Sequence, residues 1–528
     1  MAKRQNGLVL RGLFGQPAEM GVRVLVAGLA ALGATACGDE VGRAAMTFER
    51  CRTLSSMTLI DFEITESRHV LADVTGPAHC RVQGVIDPEI NFELLLPDVW
   101  NGRFVMGGGG GYVGTVQNAA LDYGDGPGAL ARGYATVGTD TGHSGSGVEA
   151  AWALGGRERQ INFGYRAVHL TAEAARSLVR HYYGRDEDYS YFVGCSRGGG
   201  QGLMESQRYP DDFDGIVAGA PAYDWTAFAA GFVQTQQNIF PDPFELDTPV
   251  ITSANRSLLH DAILEACDDS DGVSDGVLND PRSCGFTPDA LPRCENEIAG
   301  AECLTTRQLD AINAVYAGPV SRGESIFPGF PFGGENDKGG WDRWMVGAER
   351  GVPSLHFGFG TELFKYFVFD DPDWDYAGYD FSTWVDDVAD TAAILDATDT
   401  DLGSFRDAGG KLILWTGWSD SAITALGAID YYEDVEDGDP AVREYSRLFM
   451  LPGVLHCGGG PGPDRVDWLT AIEDWVERGR PPARLIATKR GSDEESVLTR
   501  PVCPYPQVAR YDGTGPTEDA SSFRCETS

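Results

Sequence analysis

Short apolar strands alternate with amphipathic helices toward both ends of this chain, and no other feature of the sequence limits its fold as much. Residues 92–97 are mostly apolar, and 103–106 reads as a buried strand after the turn Trp100-Asn101-Gly102. Another strand follows at 134–138. Val168, Ala172, Ala175, Val179 and Tyr182 then recur at steps of three and four, which makes one apolar helix face closed by Gly184. Residues 189–193 form a strand, 199–209 a helix and 215–220 a strand. The same rhythm returns with strands at 411–415 and 447–451 and a helix at 467–478 that stops at Gly479. Such alternation builds a mostly parallel sheet covered on both faces. The stretch 222–403 lacks it, is rich in Asp, Pro, Gly and aromatic residues, and reads as an inserted second domain.

Composition narrows the class of partner and the compartment. The chain has 528 residues, 42% hydrophobic and 23% charged, enough for a large core. Its 79 acidic against 41 basic residues give a formal charge of −38, which repels polyphosphate and argues against a nucleic-acid partner. Eleven cysteines without a C-x-x-C pair point to disulfides in an oxidising compartment rather than to zinc. Residues 1–37 read as a targeting segment. Arg23 flanks the apolar run 24–32, and Ala34-Thr35-Ala36-Cys37 is a small-residue cleavage region, with Met20 as the expected start. Cys37 after small residues is similar to a bacterial lipobox, although Ala34 stands where Leu is usual. Lipid anchoring and simple release both stay open, so the expected location is secreted, periplasmic or anchored to the outer membrane.

The chemistry centres on Gly194-Cys195-Ser196-Arg197-Gly198, a G-x-S-x-G turn between an apolar strand and a helix. Small flanking residues let the chain turn tightly enough to expose the serine, and the helix N-terminus favours a negative intermediate. Of eight histidines, His456 alone follows a late strand in a Gly-rich loop, where the order Ser…Asp…His puts the base. Asp420, after the preceding strand, is the matching acid. Asp434, Asp437 and Asp439 lie in an acidic run that reads as a solvated loop.

Without Cys37, ten cysteines remain. Nearest neighbours would pair as Cys51–Cys80, Cys267–Cys284, Cys294–Cys303 and Cys503–Cys525, although sequence alone does not fix connectivity. That leaves Cys195, next to the candidate nucleophile, and Cys457, next to the candidate base. If Ser196 and His456 meet, their neighbours fall within disulfide range.

Cys195-Ser196, Asp420 and His456-Cys457 together resemble the CS-D-HC pattern of the tannase and feruloyl esterase family, which includes enzymes that cleave mono-(2-hydroxyethyl) terephthalate. Trp100-Asn101-Gly102-Arg103-Phe104 with its glycine run agrees, as do Gly138-Thr139-Asp140-Thr141-Gly142-His143, Tyr165-Arg166-Ala167-Val168-His169 and the segment from His456 to Gly462. The resemblance runs from Cys51 to Cys525. It implies an α/β-hydrolase core (38–221 and 404–528) with an inserted lid (222–403), the five bridges above, and serine esterase activity on aromatic carboxylic esters of feruloyl, galloyl or terephthaloyl type. It implies no organic cofactor. The implied oxyanion hole takes backbone N–H groups from Arg197 and from the glycine run, Gly110 first with Gly109 and Gly111 as alternatives.

One further loop suits a hard cation. Residues 267–277 set several carboxylates around Gly272 and Gly276 without the EF-hand spacing. By resemblance it binds a structural calcium ion through the side chains of Asp268, Asp271 and Asp275 and the carbonyls of Val273 and Val277. Phe357, Phe359, Phe364, Tyr366, Phe367, Phe369, Trp374 and Tyr376 crowd the lid, and most of them read as its own core. Two rival readings remain: amide or polyester cleavage on the same triad, and a non-catalytic calcium-dependent binding protein.

Overall fold

The apolar strands pair into one sheet of nine. In chain order they are β1 (Phe62–Val70), β2 (His79–Ile86), β3 (Ile90–Pro97), β4 (Arg103–Gly107), β5 (Ala135–Thr139), β6 (Tyr189–Cys195), β7 (Gly215–Gly219), β8 (Lys411–Gly417) and β9 (Ser446–Leu451). Their spatial order is β1-β2-β3-β5-β4-β6-β7-β8-β9. The first three strands and β5 pair antiparallel, and everything from β5 to β9 is parallel. The structure, a computed structural model, describes residues 48–527 except 58, 59, 75, 349, 350 and 494. The expected targeting segment 1–37, with Met20 and Cys37, lies outside the described residues. No helix among the described residues is long and apolar enough to cross a membrane.

Strand alternation explains why the sheet needs cover on both sides. Phe104, Met106, Phe192, Ile216, Leu412 and Leu414 point into one apolar layer. Their neighbours Val105, Tyr191, Val193, Val217, Ile413 and Trp415 point into the other. Each fully buried aliphatic or aromatic side chain contributes about 1.5–3 kcal/mol, so the parallel strands hold only if helices close both layers. On the second face this is α6 (Trp468–Arg478), which buries Trp468, Leu469, Ile472 and Trp475. Asp467 caps it by accepting from the Thr470 N–H, and Gly479 ends it at φ 61°. On the first face α1 (Ala167–Tyr183) buries Val168, Ala172, Ala175, Val179 and Tyr182 and ends on Gly184 at φ 77°. Both follow the sequence periodicity.

Four further helices frame the site. These are α2 (Arg197–Arg208), directly after β6, then α3 (Trp225–Ile239), α4 (Leu355–Leu363) and α5 (Ala425–Gly438). Asp434 and Asp437, expected in a solvated loop, lie on the exposed side of α5, which turns Ile429, Tyr432 and Val435 inward. Asp439 is its C-terminal cap and bonds Arg406 at 2.7 Å. Strands β1 and β2 do not stand out in the sequence, because β2 alternates buried with half-exposed residues and carries no continuous apolar run. The C-terminal residues form two hairpins, Leu485–Arg490 with Ser496–Val502 and Gln507–Tyr511 with Phe523–Thr527. Residues from Arg50 onward, the 222–403 stretch included, pack as one compact unit.

Candidate active site

Ser196 stands at the tip of the turn between β6 and α2. Its backbone sits at φ 63°, ψ −123°, a conformation that a non-glycine residue keeps only when its surroundings enforce it. The enforcement is visible. The Ser196 N–H donates to the Gly219 carbonyl at 3.0 Å, and its own carbonyl accepts from Gly200 and Ala222. Gly194 is required here, because a Cβ on it would lie 2.6 Å from the carbonyl carbon of Gly198.

His456 follows β9 and Asp420 follows β8, so both sit at the carboxyl edge of the sheet, as Ser196 does. His456 Nδ1 and Asp420 Oδ2 are 2.8 Å apart. Asp420 Oδ1 accepts from the backbone N–H groups of Ala422 (2.8 Å) and Ile423 (3.0 Å), which fixes the carboxylate plane. The Asp420 side chain is wholly buried. The His456 Nε2 atom is also buried and has no hydrogen-bond partner among the described residues, and His456 lines a cavity together with Ser196. Cys195 and Cys457 form a disulfide with Cα atoms 5.9 Å apart, so the segments carrying Ser196 and His456 are covalently joined. The other bridges are Cys51–Cys80, Cys267–Cys284, Cys294–Cys303 and Cys503–Cys525, which completes the expected pairing.

The cavity is a narrow, partly open cleft with a largely apolar lining. Ser196, Arg197, Ala222, His456 and Gly111 line it, together with Trp225, Phe228 and Phe232 from α3. Trp344, Phe359, Ala422 and Ile423 close the rest. The Trp344 ring meets His456 edge-on at 5.0 Å. Within the glycine run, two candidate donors are already engaged: Gly109 N–H donates to Gln201 Oε1 at 3.1 Å and Gly110 N–H to Gln117 Oε1 at 2.8 Å. Gly111 is the member that reaches the cavity. It sits at φ 54°, and a Cβ there would lie 2.1 Å from the Gly147 carbonyl oxygen. The Gly110 amide expected to face an oxyanion is thus turned onto a side chain instead.

The family model for tannase and feruloyl esterase matches residues 72–526. The chain belongs to the tannase and feruloyl esterase family. It is 35% identical to an uncharacterised esterase of Xanthomonas campestris over 96% of this chain and 95% of that one. It is also 35% identical to the mono(2-hydroxyethyl) terephthalate hydrolase of Piscinibacter sakaiensis over 85% of each. Among solved structures it is similar to feruloyl esterase B from Aspergillus oryzae, with TM-score 0.80 and 26% identity over 91% of this chain and 100% of that one. As a member of this family of esterases it is a carboxylic ester hydrolase with an α/β-hydrolase fold.

In this tannase and feruloyl esterase family member, the lid aromatics divide as their packing dictates. Phe364, Phe369, Trp374 and Tyr379 pack ring against ring at 5.0–6.0 Å and join the main apolar core. Of the eight aromatics singled out in the sequence, only Phe359 lines the cavity. The sequence reading missed Trp225, Phe228, Phe232 and Trp344. The first three carried a signal: they fall at i, i+3 and i+7 behind Asp224, whose side chain caps α3 by accepting from the Ala227 N–H. Trp344 carried none, since it is brought in by tertiary packing. Two other histidines, His143 and His356, are structural partners. His143 is buried, bonds the Tyr112 carbonyl at 2.8 Å and stacks on Trp152, and burial pushes it down to about 4. His356 likewise bonds the Ser421 carbonyl at 2.9 Å.

The acidic loop brings hard oxygen donors together around two left-handed glycines, Gly272 (φ 93°) and Gly276 (φ 76°). Asp268, Asp271 and Asp275 accept from the N–H groups of Gly276, Val273 and Val277. Burial, with Asp275 and Asp268 nearby, pushes the Asp271 carboxyl up to about 6. Three carboxylates and the neighbouring carbonyls on one tight loop are the oxygen chemistry that a hard divalent cation takes. In this structure both oxygens of Asp275 are engaged, Oδ2 by Arg500 at 2.6 Å and Oδ1 by the Val277 N–H.

Proposed function

We propose that the protein is a serine esterase that hydrolyses esters of aromatic carboxylic acids through an acyl-enzyme. The observation that carries this reading is the cavity shared by Ser196 and His456, backed by the 2.8 Å contact between His456 and the buried Asp420. In the proposed reaction His456 Nε2 takes the Ser196 proton as Oγ attacks the ester carbonyl. Asp420 holds the imidazole by its Nδ1 and stabilises the imidazolium. The tetrahedral oxyanion is met by the backbone N–H of Arg197 and, since Gly110 is engaged, by that of Gly111. His456 then protonates the leaving alcohol and activates water against the acyl-enzyme.

The aromatic walls supplied by Trp225, Phe228, Phe232, Trp344 and Phe359 support a flat acyl group of feruloyl, galloyl or terephthaloyl type. A structural calcium ion would sit on the side chains of Asp268, Asp271 and Asp275 and the carbonyls of Val273 and Val277, holding the lid loop and taking no part in the chemistry. Five disulfides favour an oxidising compartment, hence a secreted enzyme or one anchored through Cys37. Reaction with a fluorophosphonate probe followed by peptide mass spectrometry tests the core of the proposal. Modification of Ser196, with turnover of methyl ferulate, methyl gallate or a terephthalate monoester, is expected. A purified protein that neither labels nor hydrolyses any of the three would refute it.

A further inference from the structure

Arg197 lends its backbone to the proposed oxyanion hole, and its side chain is placed as no surface arginine would be. It is 1% exposed, although it immediately follows the nucleophile at the start of α2. Its Nη2 donates to the carbonyl oxygens of Phe163 and Gly164, the latter at 2.9 Å. The guanidinium lies over the Phe163 ring at 4.4 Å and faces Trp225 at 5.7 Å.

The receiving segment is unusual as well. Asn162–Arg166 is a π-turn running into α1, in which the Ala167 N–H reaches back five residues to the Asn162 carbonyl. Such wide turns are uncommon and recur at functional sites. Arg166 Nε holds this one by donating to Asn162 Oδ1 at 2.7 Å. No carboxylate among the described residues bonds the buried guanidinium. Asp396 faces it through space and is itself bonded to the Thr226 N–H and hydroxyl. A buried cation is costly, and an apolar side chain would fill the same volume without that cost. What the cation adds is direction, because two carbonyl acceptors and two ring faces leave the side chain one orientation.

We propose that the Arg197 guanidinium is a positioning residue: clamped by the Phe163 and Gly164 carbonyls, it fixes the backbone of Arg197 and so aims that residue's N–H at the oxyanion. The inference rests on Ser196 being the nucleophile. It also explains how the φ 63° turn at Ser196 is held on its helix side, the strand side being held by the Cys195–Cys457 bridge. Trp225 lies under the same guanidinium and walls the cavity, so one clamp seats both the oxyanion donor and the acyl wall.

The test compares wild type with R197M and R197K, each normalised to the fraction of sites titrated by a fluorophosphonate. An aryl boronic acid serves as the tetrahedral analogue, and the matching unreactive aryl amide reports ground-state binding. For R197M, kcat per titrated site should fall about 10- to 100-fold. Boronate affinity should fall in parallel, while KM and amide affinity stay within about 3-fold. R197K, which keeps a cation for the two carbonyls but has no planar guanidinium to lie over the Phe163 and Trp225 rings, should recover part of both losses. If R197M keeps wild-type kcat and boronate affinity per site and only melts earlier, the side chain is mere packing and the inference is overturned. Should R197M fail to fold, R197K decides: intermediate boronate affinity supports the clamp, and wild-type affinity overturns it. A wild-type protein that takes up neither probe would instead remove the nucleophile assignment on which the clamp depends.

Discussion

Breaking the bridge between Cys195 and Cys457 should separate its effect on stability from its effect on catalysis. Cys195 and Cys457 are 262 residues apart in sequence and 5.9 Å apart at Cα. In the chain-entropy treatment a loop of that length contributes about 5.6 kcal/mol, and the Cys503–Cys525 loop, 22 residues long, about 3.4 kcal/mol. The first figure is an upper bound, because the bridges Cys267–Cys284 and Cys294–Cys303 already shorten the same loop and measured values usually reach about 2–4 kcal/mol. The two double Ala variants should therefore lose stability by amounts within about 2 kcal/mol of each other. Activity should not follow stability. Only Cys195→Ala with Cys457→Ala frees the segment that aligns His456 with Ser196, and a misplacement of about 1 Å costs about 100-fold in rate. The assay is kcat on an aryl ester well below both melting temperatures, alongside denaturant unfolding of each variant. Equal kcat in the two variants would refute the catalytic clamp, whatever the melting curves say.

Further outcomes follow from the same geometry. Ser196→Ala should abolish hydrolysis and probe labelling while melting stays within a few degrees of wild type; retained turnover would remove Ser196 from the mechanism. Asp420→Asn should cost kcat about 10⁴-fold, because the imidazole loses its orienting charge; a loss below about tenfold would point to another acid. Chelation with EDTA should lower Tm, calcium should restore it, and Asp271→Asn should remove the response; a melting curve indifferent to both would sink the calcium site. Asp224 is half-buried, and the loss of water around its carboxyl pushes it up to about 6 from 3.8, so the folded state holds its proton more tightly than the unfolded chain does. Its contribution is present near pH 4 and lost as pH rises through 6, and Asp224→Asn, which keeps the acceptor for the α3 cap, should flatten that part of the stability profile measured by denaturant unfolding.

Much of this was written locally. The helix face from Val168 to Tyr182, the Gly184 and Gly479 stops and the Ser196 turn follow from spacings of a few residues, because backbone geometry and short-range burial decide them. The order of Ser196, Asp420 and His456 along strand ends was equally legible, and so was the pairing of Cys195 with Cys457 once those two residues were suspected to meet. Tertiary structure alone decided which glycine amide is free. Gln117 and Gln201 claim Gly110 and Gly109, and those side chains lie 7 and 92 residues away. It also decided that α3 and Trp344, rather than most of the lid's aromatic cluster, wall the cavity. It alone buried the Arg197 guanidinium against a π-turn more than thirty residues upstream. A residue's type and spacing set its local conformation, but the partner of a hydrogen-bond donor or a ring face is chosen by whichever distant segment packs there, and that choice depends on the whole fold.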